Sequence, residues 1–266
     1  MLGSILKGLK IFVKNKLKKE ICIERFCDNN HILQVTDSYI PLYRRKKTRS
    51  IIEITPEDTD LGYSFRQYSV IYTSNTEKKQ PYQMAKQIMF DQWAVIHQLK
   101  KVLVLGCAGC AMPRYFNLSY KDCETIGIEY SEKLISIANK YFLDGLDMNR
   151  FDLIHGDAFE YTQNYKGETF DAIYVDLFNG MDICQEVFSE KFLNEIYNIL
   201  SDNGIVVFNI IKGANTLRRQ LNKIFPWAGY VKNECADSTA VAIKYVNISD
   251  VVKWKRNLLD NNWVWI

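Results

Sequence analysis

The chain has 266 residues, of which 47% are hydrophobic and 24% are charged, and its formal net charge is +3. This composition is typical of a globular protein, and so small a positive charge gives no support to nucleic-acid binding. No apolar run reaches the roughly 18 residues that a membrane-spanning helix needs. The seven cysteines follow no disulfide framework, which predicts reduced thiols and a cytoplasmic location.

The first predicted element is an amphipathic helix over residues 2–17. Its apolar positions recur at helical spacing, and the other side carries lysines, among them Lys7, Lys10 and Lys14. We expect this helix to dock its apolar stripe on its own domain or on a second subunit, so a homodimer is one expected assembly. Contact with an anionic membrane surface is the less favoured alternative.

Two further regions follow this helix and differ in their hydrophobic period. Short runs of β-branched and aromatic residues, such as HILQVTD and SIIEIT, predict a small antiparallel β-rich region. After Pro81 the pattern changes to aliphatic strands that alternate with amphipathic helices. This predicts an α/β, Rossmann-like fold, with a mostly parallel sheet covered on both faces and ending in an antiparallel hairpin. The predicted parts of the chain are therefore residues 1–20, 21–80 and 81–266.

The stretch VLVLGCAGCAMPRYF predicts a buried strand, a tight turn and the start of a helix. Gly106 begins the turn, and Cys107, Ala108 and Gly109 keep it small where the backbone approaches a ligand. Backbone N–H groups at the helix start attract polar or anionic ligand groups. A metal or redox site at Cys107 and Cys110 is the alternative, but neither a second Cys-x-x-Cys nor a histidine pair completes a zinc site. We interpret both cysteines as turn residues and expect no metal.

Three acidic residues follow later strands of the predicted sheet. Glu129 ends a strand about twenty residues after the turn, where a carboxylate accepts hydrogens from ribose hydroxyl groups, and Tyr130 beside it belongs to the same predicted site. Asp157, followed by the small Ala158, is placed to accept from an adenine amino group. Asp176 lies at the carboxyl edge of the sheet, where ligands bind in such folds. The structural alternatives are helix capping by Glu129 or Asp157 and loop stabilisation by Asp176.

Together these motifs resemble the spermidine-synthase-like family, the aminopropyltransferase branch of the class I S-adenosylmethionine-dependent methyltransferase fold. The resemblance covers residues 81–211. It includes the glycine turn with Arg114 and the motifs GIEYSEKLISIANKYF, GDAFEY, FDAIYVDLFNG and LSDNGIVVFNI. The family also has a β-rich region before its nucleotide domain. The resemblance therefore implies that the substrate is a small molecule and that the donor is S-adenosylmethionine or its decarboxylated form.

The resemblance also implies a role for each matching residue. Gly106 and its neighbours would hold the methionine-derived part of the donor. Glu129 would hold the ribose, and Asp157 with its neighbour the adenine. Asp176 would face an acceptor amine, and Gln67 matches a family glutamine at the nucleoside.

Two positions depart from the family pattern. The family motif GGGDGG has an aspartate where this chain has Gly109, and the motif D-S-x-D-P has a second aspartate where Asn179 follows Asp176. Paired carboxylates bind and deprotonate an attacking amine, and Asp182 is a candidate replacement. We therefore expect methyl transfer from S-adenosylmethionine to an unidentified small nucleophile that Asp176 orients or deprotonates. The alternatives are aminopropyl transfer from decarboxylated S-adenosylmethionine to putrescine or a related polyamine, and a non-catalytic nucleoside-binding relative.

Overall fold

The computed structural model describes most of the chain from residue 19 onward. The described residues are 19–40, 46–54, 67–74, 77–80, 84–179, 182–210, 213–232, 238–244, 247–259 and 264–265. The helix predicted over residues 2–17 lies outside them. Within the described part, no helix has the length and apolar character needed to cross a membrane.

The amino-terminal region forms a four-stranded antiparallel sheet in the order β1-β2-β3-β4. Its strands are β1 (Lys19–Asp28), β2 (His31–Ile40), β3 (Lys46–Glu53) and β4 (Gln67–Tyr72). Asn29 and Asn30 join β1 to β2 with φ values of 45° and 67°, a left-handed conformation that asparagine tolerates in hairpin turns. The predicted β-rich region is therefore present, although its domain boundaries stay a prediction.

The central sheet has eight strands in the order β14-β12-β13-β11-β8-β5-β6-β7, and a separate two-stranded hairpin joins β9 to β10. Strands β7, β6, β5, β8 and β11 are parallel, and β13, β12 and β14 extend the sheet antiparallel. The strands are β5 (Lys101–Leu105), β6 (Glu124–Glu129), β7 (Phe151–His155), β8 (Phe170–Val175), β9 (Phe178–Asn179), β10 (Asp182–Ile183), β11 (Leu200–Ile210), β12 (Trp227–Lys232), β13 (Ser238–Ile243) and β14 (Val264–Trp265).

Helices cover both faces of this sheet. Alternate residues of β5 belong to two different apolar clusters, Val102 and Val104 to one and Leu103 and Leu105 to the other. The predicted α/β fold is thus confirmed. The helices are α1 (Met84–Ala94), α2 (Ala111–Ser119), α3 (Glu132–Tyr141), α4 (Ala158–Asn164), α5 (Glu190–Ile199), α6 (Ala214–Ile224) and α7 (Ile248–Leu259), with a 3₁₀ turn at Gln185–Phe188.

The strand order places a crevice between β5 and β8. After β5 the chain builds β6 and β7 on one side, and then returns to add β8 and β11 on the other. The helices that follow β5 and β8 therefore cover opposite faces of the sheet, with Met112 of α2 in one apolar cluster and Leu193 of α5 in the other. Ligands of such open α/β sheets bind outside the carboxyl ends of the strands at this reversal.

The amino-terminal sheet packs beside this crevice, against α2 and α3. One apolar cluster joins both parts, with Phe26, Leu33, Val35, Ile51 and Ile71 from the sheet and Ala111, Leu134, Ile137 and Phe142 from the helices. At its edge Arg49 forms a two-pronged ion pair with Asp37 and also donates to the carbonyl oxygen of Tyr141 at 3.0 Å. These contacts hold β4 close to the glycine turn.

Candidate active site

The turn after β5 requires glycine at its first position. Gly106 has a φ of 84°, and a Cβ atom added to it would lie 2.2 Å from the carbonyl oxygen of Asp176. Its N–H donates to the carbonyl oxygen of Ile128 at 3.0 Å. The turn is therefore hydrogen-bonded to the end of β6 and packed against the backbone that follows β8, with which any side chain at residue 106 would clash.

The two turn cysteines are packing residues in this structure. Cys107 and Cys110 are buried free thiols, and a Cβ atom added to Gly127 would lie 2.7 Å from the Sγ of Cys107. Burial raises the pKa of the Cys107 thiol well above its usual range, and contact with Cys110 and the charge of Glu129 add to that rise. A raised pKa disfavours the thiolate that metal binding and redox chemistry require. Among the described residues, no group of three His, Cys, Asp or Glu side chains is arranged to hold a metal.

Glu129 fastens the turn to the end of β6. One carboxylate oxygen accepts from the backbone N–H groups of Cys107 at 3.0 Å and Ala108 at 2.7 Å, and the other accepts from that of Ser131 at 3.0 Å. Only 7% of the residue is exposed. A carboxylate has about four acceptor positions, so three backbone bonds leave one for a ligand. Sequence reasoning placed Glu129 at the nucleoside but missed its bonds to the turn.

The next loop shows how the predicted adenine residues are held. Asp157 caps α4, with Oδ1 accepting from the N–H groups of Phe159 at 2.7 Å and Glu160 at 3.1 Å. Ala158 is buried beneath this cap, and the Tyr130 side chain is 66% exposed at the neighbouring strand end. Asp157 thus has the capping role that the sequence left as an alternative, and its adenine contact stays a prediction. Gln67 begins β4 in the amino-terminal sheet, and its nucleoside contact also stays a prediction.

Asp176 follows β8 and has a partner on each carboxylate oxygen. The Nδ2 group of Asn209, at the end of β11, donates to Oδ1 at 2.7 Å, and the Tyr174 hydroxyl donates to Oδ2 at 3.2 Å. The Oδ1 atom of Asn209 is buried and has no hydrogen-bond partner among the described residues. Sequence reasoning missed Asn209, although its place at the end of the strand adjacent to β8 is a signal that could have found it.

The second departure from the family pattern lies in the β9–β10 hairpin. Asn179 and Asp182 are paired residues in this antiparallel ladder. Directly opposed residues of such a ladder carry their side chains on the same face. Asn179, three residues after Asp176 in the sequence, therefore has the Asp182 carboxylate beside it.

The other departure, Gly109 in place of the aspartate of the family motif GGGDGG, has a steric cause. A Cβ atom at Gly109 would lie 2.8 Å from the Cβ atom of Ser69 and 3.1 Å from Cδ1 of Phe142. Ser69 belongs to β4 and Phe142 follows α3, and both are buried. The docked amino-terminal sheet thus fills the space that a side chain at residue 109 would need.

The strand order and the helices on both faces define a class I methyltransferase-like fold, with the candidate ligand crevice at the carboxyl ends of the central strands. Human methyltransferase-like protein 13 in complex with SAH has a similar fold. It superimposes with a TM-score of 0.53 at 14% identity, over 66% of this chain and 87% of that one.

The family within this class follows from the sequence match. Residues 86–222 match the spermine/spermidine synthase domain, and the chain belongs to that family. A probable spermidine synthase from Corynebacterium glutamicum has the same fold, with a TM-score of 0.69 at 15% identity over 90% of this chain and 88% of that one. A polyamine aminopropyltransferase of Chromobacterium violaceum is 26% identical over 110 residues, which are 41% of this chain and 42% of that protein. The chain thus matches less than half the length of that relative.

Proposed function

We propose that this protein transfers an aminopropyl group from decarboxylated S-adenosylmethionine to an amine of the polyamine class. The expectation of methyl transfer lacks support from the comparisons, because the curated relatives are named polyamine aminopropyltransferases. The family match covers the strands and turns that carry the candidate site. The aminopropyl alternative is therefore the better-supported function.

The observation that carries this proposal is the environment of Asp176. Two neutral donors, the Asn209 amide and the Tyr174 hydroxyl, hold its carboxylate at the mouth of the crevice. These bonds fix the orientation of the carboxylate toward the crevice. An amine that binds there would meet Asp176 and the Oδ1 atom of Asn209, which has no hydrogen-bond partner within the part of the chain that the structure describes.

The residues around the turn also fit an adenosyl donor. Gly106 brings the backbone close to the crevice, and Glu129 keeps one acceptor position for a ribose hydroxyl. Asp157 follows β7, the strand adjacent to the one that Glu129 ends. The donor would supply a carbon atom that its positively charged sulfur already activates. The protein would hold this carbon in line with the acceptor nitrogen, and such positioning is a large part of catalysis of this kind.

The transfer makes one bond and breaks one. The lone pair of the acceptor nitrogen forms a bond to the carbon, and the carbon–sulfur bond breaks with its electron pair passing to sulfur. Asp176 would accept the proton that the nitrogen loses. Asp182 beside Asn179 would add negative charge near the amine, in place of the second carboxylate in the family motif.

The test is a transfer assay read by mass spectrometry of the acceptor. We expect an aminopropylated product from putrescine with decarboxylated S-adenosylmethionine and none with S-adenosylmethionine. Methylated product with S-adenosylmethionine and no aminopropylated product would return the function to methyl transfer. Donor binding without either product would identify a nucleoside-binding relative, and tight NAD binding without binding of either donor would exclude all three functions.

A further inference from the structure

A serine hydroxyl is buried where the amino-terminal sheet meets the glycine turn. Ser69 in β4 is 5% exposed, and its Oγ atom has no hydrogen-bond partner among the described residues. A Cβ atom at Gly109 would lie 2.9 Å from this Oγ. The hydroxyl therefore faces the position in the turn where a side chain would otherwise point.

The surroundings of this hydroxyl are apolar. Ile71, two residues along the same strand, belongs to a buried cluster with Ala111 at the start of α2 and Phe142 after α3. A buried hydroxyl without a partner destabilises the folded state, whereas alanine would fill nearly the same space at no such penalty. The stability of the ligand-free protein therefore gives no reason for a serine here.

We propose that Ser69 is a donor-binding residue that determines which donor tails the site accepts. This inference rests on the proposed function, because it requires an adenosyl donor whose tail crosses the turn. The tail would lie along the turn beside β4, and the contact between the turn and β4 would open far enough for the polar end of the tail to bond to the Ser69 hydroxyl. Gly106 and the helix start at Ala111 bound the turn, and Gly109 between them is the residue that the Ser69 hydroxyl faces.

The hydroxyl would make the site tolerant of two kinds of tail. A hydroxyl accepts a hydrogen bond from an ammonium group and donates one to a carboxylate. A protein carboxylate at the same place would attract the ammonium group of a donor tail but repel its carboxylate. The space beside Gly109 is filled by Ser69 and Phe142, so a charged side chain at residue 109 has no room. A tail ending in an ammonium and a tail with both an ammonium and a carboxylate would therefore bind with similar affinity.

The test measures the affinities of three nucleosides by calorimetry. Decarboxylated S-adenosylmethionine and S-adenosylmethionine carry the two tails, and 5′-methylthioadenosine lacks a polar tail end. We expect Ser69→Ala to weaken binding of both tailed compounds about 5- to 30-fold and to leave 5′-methylthioadenosine unchanged. The same substitution should raise the Tm of the ligand-free protein by about 2–4 °C, an effect opposite in sign to the loss of affinity.

The matched control is Ser50→Ala. Ser50 is a buried serine of the adjacent strand β3, and its Oγ donates to the carbonyl oxygen of Thr36 at 3.5 Å. We expect this variant to lose stability and to keep all three affinities. Affinities that do not change in Ser69→Ala would overturn the role of Ser69 and leave the proposed function intact. A wild-type preference above a hundredfold for one tail would overturn the tolerance, and failure of all three nucleosides to bind would overturn the proposed function as well.

Discussion

The two ends of the central sheet each carry an aspartate, and the two aspartates have different surroundings. At the amino end, Asp171 lines a cleft of about 360 Å³ together with His97 and Ser201. Its Oδ2 atom accepts from the backbone N–H groups of Lys100 at 2.8 Å and Lys101 at 3.0 Å, and its Oδ1 atom accepts from Ser201. This carboxylate ties together the starts of β5, β8 and β11.

The carboxyl end of the central sheet carries buried polar atoms that have no hydrogen-bond partner among the described residues. Asp176 is held by Asn209 and Tyr174, while Asn209 Oδ1 and Ser69 Oγ are buried without partners among the described residues. Buried polar atoms without partners also occur elsewhere among the described residues, for example Thr125 Oγ1 near the amino end of β6, so the distinction between the two ends rests on the aspartates. Backbone N–H groups and a serine occupy the Asp171 carboxylate, whereas the side chains of Asn209 and Tyr174 orient Asp176.

The largest expected effect is at the turn itself. Gly106→Ala forces a Cβ atom to 2.2 Å from the Asp176 carbonyl oxygen at a φ of 84°. We expect a loss of more than about 3 kcal/mol in the free energy of unfolding, measured by urea denaturation. Gly156→Ala is the control, because a Cβ atom there meets nothing within 4 Å. Equal stability of the two variants would contradict the tight closure of β5 on β8.

The second prediction separates the two aspartates. Asp176→Asn removes the charge that accepts the proton, and we expect kcat/KM to fall about 10²- to 10⁴-fold with little change in stability. Asp171→Asn keeps its bonds by directing the amide oxygen to the two backbone N–H groups and the amide nitrogen to the Ser201 hydroxyl. That variant should keep both activity and stability. Equal losses of activity in both variants would remove the functional distinction between the two ends.

The third prediction concerns the three backbone hydrogen bonds that the Glu129 carboxylate accepts. Glu129→Gln turns one acceptor oxygen into a donor, so at least one backbone N–H of the turn or of Ser131 loses its partner. We expect a destabilisation of about 1–3 kcal/mol in urea denaturation. Glu132→Gln, at a side chain that is 81% exposed, is the control and should be neutral. A neutral Glu129→Gln would mean that the turn holds its shape without the carboxylate.

The smallest expected effect lies away from both ends of the central sheet. Hydrogen bonds from Lys140 at 2.7 Å and Tyr141 at 2.6 Å lower the pKa of Glu24 below its ordinary value of 4.5. A carboxyl group whose pKa is lower when folded adds stability above its unfolded pKa and loses it as pH falls through the folded value. The stability difference between the wild type and Glu24→Gln should therefore be present at pH 7 and vanish at strongly acidic pH. A difference that is independent of pH would contradict this coupling.

Sequence reasoning succeeds here where the deciding interactions are local. The aliphatic run before Gly106 and the alternation of strands and helices after it predict β5, β6, β7, β8 and β11, because hydrophobic periodicity depends on neighbouring residues. The short β9–β10 hairpin is not predicted by this alternation. The order of the motifs also places Glu129, Asp157 and Asp176 at one edge of the sheet. Helix α7 was not predicted, and its buried Trp254 is positioned by a bond to the carbonyl oxygen of Met89 in α1.

The parts that sequence reasoning misses depend on contacts between distant segments. Ser69 lies between Tyr68 and Val70 in β4, and nothing in the strand itself shows that its hydroxyl faces the glycine turn. Asn209 gains meaning only from Asp176 on the adjacent strand. Gly109 suggested a missing charge when considered alone, whereas the fold shows a position already filled from the amino-terminal sheet.

The docking of the amino-terminal sheet sets a limit on how far the protein can be trimmed. A fragment beginning at Met84 would retain every strand of the central sheet, but it would leave Ala111, Leu134, Ile137 and Phe142 facing water. Exposed apolar patches of this kind promote self-association. We therefore expect the part of the chain that forms the central sheet to be poorly soluble alone. Limited proteolysis between the two sheets should yield two fragments that stay together rather than an independent core.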